Sequence, residues 1–304
     1  MVNGCFDVSY SPSSRSQQYQ VTRIEQTPYT MAKIVVLISG SGSNLQALID
    51  ASTKEPKKLD ADIVKVISSS PDAYGLARAA HAKIPIQVHQ LKEYYKGIPK
   101  DSKEERKVAR DQFDSDLAQV VIAEEPDLVV CAGWMLILSM AFLEPLSQVG
   151  IPIINLHPAL PGTFEGTHAI ERSWEAGRKG EITKGGCMVH YVIEAVDMGE
   201  PLVVKELEVT QGESVDAWEK KIHDLEHVAI VEGAQLALEK SREEAEAKAS
   251  QAAKEKEEAE KAQKAKEAKA KALADSKKAE TAKKSPIAKK DKKRDKKKSF
   301  CVVC

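Results

Sequence analysis

The chain has 304 residues, 42% hydrophobic and 30% charged, with a formal net charge of −1, a length that holds one large domain or two small ones. Five cysteines, with Cys131 inside an apolar run, argue against a secreted disulfide scaffold. No run approaches the roughly 18–20 apolar residues of a membrane span, and the first thirty residues lack the apolar core of a secretory signal. In chain order, Ile34-Val35-Val36-Leu37-Ile38 is an apolar run of the kind buried in parallel sheets. The Gly-rich stretch Ser39 to Asn44 follows, and Leu45, Leu48 and Ile49 open a helical pattern. Ile63 to Ile67 reads as a second strand, Tyr74 to Ala82 as a helix and Ile84 to Val88 as a short third strand. Phe113 to Ala123 has helical spacing at Phe113, Leu117, Val120 and Val121. Leu128 to Ala132 and Ile151 to Leu156 read as further strands. Cys187 to Val192 and Pro201 to Val204, separated by Asp197-Met198-Gly199-Glu200, form an expected hairpin. A helix starting at Ser214, a candidate N-cap, sets Val215, Trp218, Ile222, Leu225 and Ala229 on one face. Strands alternating with helices predict an α/β, doubly wound and mostly parallel sheet, closed by this hairpin and helix.

Three segments carry chemistry. The apolar run ending in Asn155-Leu156-His157-Pro158 puts an amide and an imidazole two residues apart, on one face of a strand. Pro158 cannot continue the ladder, so the pair sits at the carboxyl edge, where open parallel sheets bind ligands. Asp197, at the hairpin turn, would hold His157 in its protonated form, and imidazolium plus amide would stabilise an oxyanion in acyl transfer. No activated Ser or Cys motif is visible, which favours attack by a substrate amine. In Gly40-Ser41-Gly42-Ser43-Asn44, backbone amides at a helix start suit an anion. Leu45 occupies the third glycine position of the dinucleotide fingerprint, which favours a single phosphate group. Trp134-Met135-Leu136-Ile137-Leu138 could line an apolar slot for a flat ring, or be plain core.

Taken with Val196-Asp197-Met198-Gly199-Glu200-Pro201 and Asn155 to Gly162, these segments resemble the phosphoribosylglycinamide formyltransferases, folate-dependent enzymes of purine synthesis. The resemblance covers about Met31 to Leu238. It implies a Rossmann-like formyltransferase fold and transfer of the formyl group of 10-formyltetrahydrofolate, as co-substrate, to the amine of glycinamide ribonucleotide, without a metal or nucleic acid. It implies Asn155, His157 and Asp197 as the catalytic trio, and Gly42, Ser43 and Asn44 on the substrate phosphate with Glu226 on its ribose. Arg110 would contact the folate, and Met135, Ile137 and Leu138 would border its pterin, with the loop from Ile193 to Asp197 closing the other side. Leu136 stands where the family often has a basic residue, and His223 where it often has Gln. The competing readings are a 10-formyltetrahydrofolate hydrolase, which would not need the phosphate loop, and a tethered scaffold with a non-catalytic core.

The expected organisation is a loose extension over residues 1–30, a catalytic domain over 31–238, a charged helical or disordered spacer over 239–284, and a polybasic tail over 285–304. Ten Lys or Arg between Lys283 and Lys298, against Asp291 and Asp295, give a local +8 and leave −9 for the rest. The spacer is rich in Ala, Glu and Lys, with opposite charges three or four apart and no leucine seam. Cys301-Val302-Val303-Cys304 has the form of a prenylation site, making Cys301 a candidate for lipidation, and the basic run upstream would supply a second membrane signal. On this reading the protein is cytoplasmic, with peripheral membrane association through its tail. The competing readings of the tail are a solubilising, RNA-binding or nuclear-import run, or a terminal metal or redox pair.

Overall fold

A computed structural model describes residues 31–282 of the chain. The extension over 1–30 and the polybasic tail with Cys301 lie outside the described residues. Seven strands form one sheet: β1 (Ala32–Ile38), β2 (Ala61–Ser68), β3 (Ile86–Val88), β4 (Leu128–Cys131), β5 (Ile153–His157), β6 (Lys184–Tyr191) and β7 (Pro201–Glu208). Their order is β3-β2-β1-β4-β5-β6-β7. The pairs from β3 to β5 are parallel, while β5–β6 and β6–β7 are antiparallel. The chain therefore winds outward from β1 in one direction, returns to the other side at β4, and ends in a hairpin. The crevice between β1 and β4, at their carboxyl ends, is the topological switch point where such sheets bind ligands.

The expected strands are all present, and the central ones are covered on both faces: every residue of β4, and all of β1 except Lys33, is buried. The helices are α1 (Ser43–Thr53), α2 (Tyr74–His81), α3 (Leu91–Tyr94), α4 (Lys103–Ile122), α5 (Met140–Gln148), α6 (Ala169–Lys179) and α7 (Val215–Ala282). On one face, Phe113, Leu117 and Val121 of α4 and Phe142 and Leu146 of α5 share a core with Val35, Leu37, Val129 and Cys131. Against expectation, α4 begins ten residues before Phe113, on a first half whose charged residues stay largely exposed and show no apolar spacing. Ser214 caps α7 as expected: its hydroxyl accepts from the Ala217 N–H at 3.2 Å. The first turns of α7 lie close on β6, with Trp218 against Gly185, where a Cβ would come within 2.5 Å of the indole, and Gly233 against Val189. Trp218 Nε1 donates to Ser173 of α6 at 3.0 Å, tying that helix in.

The chain divides into two compact units, the first ending at Gln235 and the second beginning at Leu236. The second contains the rest of α7, and residues 243–277 of it are exposed throughout. With no apolar face to bury, this segment relies on helix-forming composition and on pairs such as Gln251–Glu255 and Gln263–Glu267, four residues apart. Among the described residues no helix is long and apolar enough to cross a membrane.

Candidate active site

The turn from β1 into α1 is shaped by Gly42, which caps the helix in the left-handed conformation at φ 68°. Its Cα lies so near the start of α2 that a Cβ here would come within 2.5 Å of the Gly75 Cα. Gly75 N–H in turn donates to the Gly40 carbonyl at 3.1 Å, and Arg78 Nε donates to that of Ser41 at 2.9 Å. The loop is thus held from behind by α2, leaving the first N–H groups of α1 for a ligand. Across from it on α7 stands Glu226, 5% exposed, whose Oε2 accepts from Asn44 Nδ2 at 3.3 Å. Burial raises the Glu226 carboxyl above its ordinary value, with His223 and the Asn44 bond pulling the other way. Asn44 Oδ1 is buried without a partner, an acceptor left for a donor on a ligand.

The segment after β4 begins at Gly133, with φ 84°, and its Met135 N–H donates to Ser39 Oγ at 2.9 Å. Met135 and Ile137 are 77% and 66% exposed, while Leu138 beneath them is buried. Ile193, Val196 and Met198, also exposed, follow β6. These apolar side chains in water suit a flat, largely apolar ligand. Arg110 does not line the cleft: it pairs with the fully buried Asp114 at 3.0 Å and donates to the Ile137 carbonyl. Asp114 also accepts from Ser139 N–H at 3.3 Å, so the pair fastens α4 to the apolar segment.

Asn155 and His157 project from the end of β5, and His157 Nδ1 lies 3.4 Å from Asp197 Oδ2. Asp197 sits in the turn between β6 and β7 with φ 55°, and its Oδ2 also accepts from Gly166 N–H at 2.9 Å. The turn closes tightly because position 199 is glycine; a Cβ there would fall 1.6 Å from the Tyr191 carbonyl oxygen. Burial lowers the His157 imidazole below its ordinary value, outweighing the upward pull of Asp197. Burial works upward on Asp197, but the His190 side chain, Gly166 N–H and the neighbouring imidazoles more than offset it. Burial thus works against the protonated ring that the Asp neighbour alone would favour. Its Nε2 is buried without a partner.

One cleft of about 470 Å³ is lined by the loop from Ser39 to Asn44, by Cys131 to Leu138, by Asn155 to Pro158, and by Asp197, His223 and Glu226. It thus joins an anion cradle, an apolar slot and an acid–base pair. A family model described as formyl transferase matches residues 32–234, more than half of the chain. Over 205 residues the chain is 58% identical to the phosphoribosylglycinamide formyltransferase of Saccharomyces cerevisiae, covering 66% of this chain and 95% of that protein. The chain belongs to the phosphoribosylglycinamide formyltransferase family. The corresponding enzyme of Dictyostelium discoideum is 41% identical, over 67% of this chain and 96% of that one. Among solved structures, glycinamide ribonucleotide transformylase 1 from Symbiobacterium toebii has a TM-score of 0.58 and 31% identity, covering 69% of this chain and 88% of that one.

Within this formyltransferase the structure adds two residues that the sequence did not single out for the site. Arg78 holds the loop from Gly40 to Asn44 from α2, 37 positions away in the chain, so no local motif marks it. His190 lines the cleft from β6, opposite Asn155. The available signal was a lone imidazole in the otherwise apolar run Cys187 to Val192, which is also how a buried core histidine looks.

Proposed function

We propose that this formyltransferase moves the formyl group of 10-formyltetrahydrofolate to the amine of glycinamide ribonucleotide. The carrying observation is that the loop from Gly40 to Asn44 and the group Asn155, His157 and Asp197 face one cleft. Gly42, Ser43 and Asn44 hold the phosphate, and Glu226 takes a ribose hydroxyl. Met135, Ile137 and Leu138 border the pterin across from Ile193 to Asp197. Arg110 serves the folate by holding the Ile137 carbonyl, and so the shape of that border.

The free amine attacks the formyl carbon and the carbonyl electron pair moves onto oxygen. Asn155 donates to that oxyanion. His157 Nε2, neutral and unpartnered, takes a proton from the attacking nitrogen, and Asp197 stabilises the resulting imidazolium. The imidazolium donates to the oxyanion, then returns its proton to the folate nitrogen as the carbon–nitrogen bond breaks. Holding both substrates in one cleft supplies the proximity term.

The test is tetrahydrofolate release from 10-formyltetrahydrofolate with and without glycinamide ribonucleotide. Release that requires the amine, and that falls by at least about 100-fold in Asp197→Asn, is expected. Release indifferent to the amine would make the protein a hydrolase, and none in either case a scaffold. From sequence alone we also propose that Cys301 is lipidated and that the basic run beside it supports peripheral membrane binding.

A further inference from the structure

We infer that His190 is a positioning residue that sets the orientation of the Asn155 amide for oxyanion binding. The inference rests on reading the cleft as a formyl-transfer site. Asn155 and His190 are direct cross-strand partners in the antiparallel pair β5–β6, so both side chains stand on one face of the sheet. The ring is 2% exposed, and it is anchored by Nδ1, 2.8 Å from the Tyr191 carbonyl oxygen. A carbonyl only accepts, so Nδ1 carries the hydrogen and Nε2 of the neutral ring presents a lone pair. That lone pair is 3.3 Å from Asn155 Nδ2.

The consequence is a choice between the two ends of an amide. The NH2 end of Asn155 can donate to Nε2, whereas the oxygen end would meet a lone pair. His190 therefore selects the donor end, and the second hydrogen of that NH2 group remains for the developing oxyanion. Asp197 Oδ1 is 3.5 Å from the same Nε2. The pull of His190 on the Asp197 carboxyl belongs to the imidazolium, whose Nε2–H would turn to Oδ1; the neutral ring leaves that lone pair for the NH2 group of Asn155. Gly199 leaves the room for this arrangement, since a Cβ there would lie 3.3 Å from His190 Nδ1.

His190→Leu removes the acceptor and is expected to lower kcat by about 10- to 100-fold, with KM for both substrates changed less than about twofold. His190→Gln keeps an acceptor and is expected to recover most of the rate. In an Asn155→Ala background, His190→Leu should add little further loss, because both changes remove one unit. Additive losses, or a Gln variant no better than Leu, overturn the inference. Imidazole nitrogen NMR of the wild type at pH 8 tests it without any substrate or variant: hydrogen on Nδ1 and none on Nε2 is expected, and the opposite tautomer or a doubly protonated ring overturns it. A wild type without amine-dependent release would sink the functional reading separately, leaving the tautomer to be decided by this spectrum.

Discussion

Glu226 illustrates a carboxyl buried in the cleft wall at a cost to folding. Its carboxylate is almost out of water and accepts a hydrogen bond from the Asn44 side-chain amide. Because burial raises the folded-state value above the ordinary 4.5, its contribution is favourable below that pH and is lost as pH rises through the raised value. Glu226→Gln removes the charge and keeps an acceptor for Asn44. The variant is expected to gain thermal stability at pH 7, on the order of a few degrees, and to lose this advantage near pH 4, while KM for glycinamide ribonucleotide rises. Melting curves across that range, with steady-state kinetics, check both halves. His157 follows the same logic with opposite charge: burial works against its cationic form, while Asp197 on Nδ1 pulls the other way and Nε2 is without a partner.

At the scale of elements, the loop from Gly40 to Asn44 depends on α1 and α2 approaching through glycine. A methyl group at Gly42 meets both a backbone atom at 2.5 Å and a left-handed φ, whereas one at Gly75 meets mainly the movable end of Ile38. Gly42→Ala should therefore destabilise the protein by about 1–3 kcal/mol and weaken substrate binding more than Gly75→Ala does, as denaturant titration and KM would report. The same elements show what was legible in the chain. β1 and β4 announce themselves because strands covered on both faces are uninterrupted apolar runs, and β2 and β5 are legible from the apolar residues that dominate them. The first half of α4 is hidden, since its charged residues leave no apolar stripe to read. Pro145 inside α5 interrupts that helix's signal, and α6 begins from a left-handed His168 rather than a recognisable cap. Asn155 and His157 could be related because they share a strand, and Asp197 because a family pattern surrounds it. Arg78 braces the loop behind the cleft, and His190 lines it, only through pairings made in three dimensions.

Across the whole molecule, chemistry and charge occupy different stretches. Every residue lining the cleft lies at or before Glu226, and the basic excess begins at Lys283. Cys301→Ser is accordingly expected to leave formyl transfer unchanged while abolishing membrane partition in a eukaryotic cell. Fractionation and activity assays on the same lysate decide it, and a wild type found wholly in the soluble fraction would remove the membrane reading. The antiparallel join of β5 to β6 carries one more implication, for how such a chain can change length. Gaining or losing one residue within Ile153–His157 or Lys184–Tyr191 would turn every later side chain of that strand to the opposite face. Asn155 and His190 would then cease to meet. The bend from Pro158 to His168 has no ladder to keep in step. Insertions and deletions across descendants of this chain should therefore collect in such connections and spare those two strands.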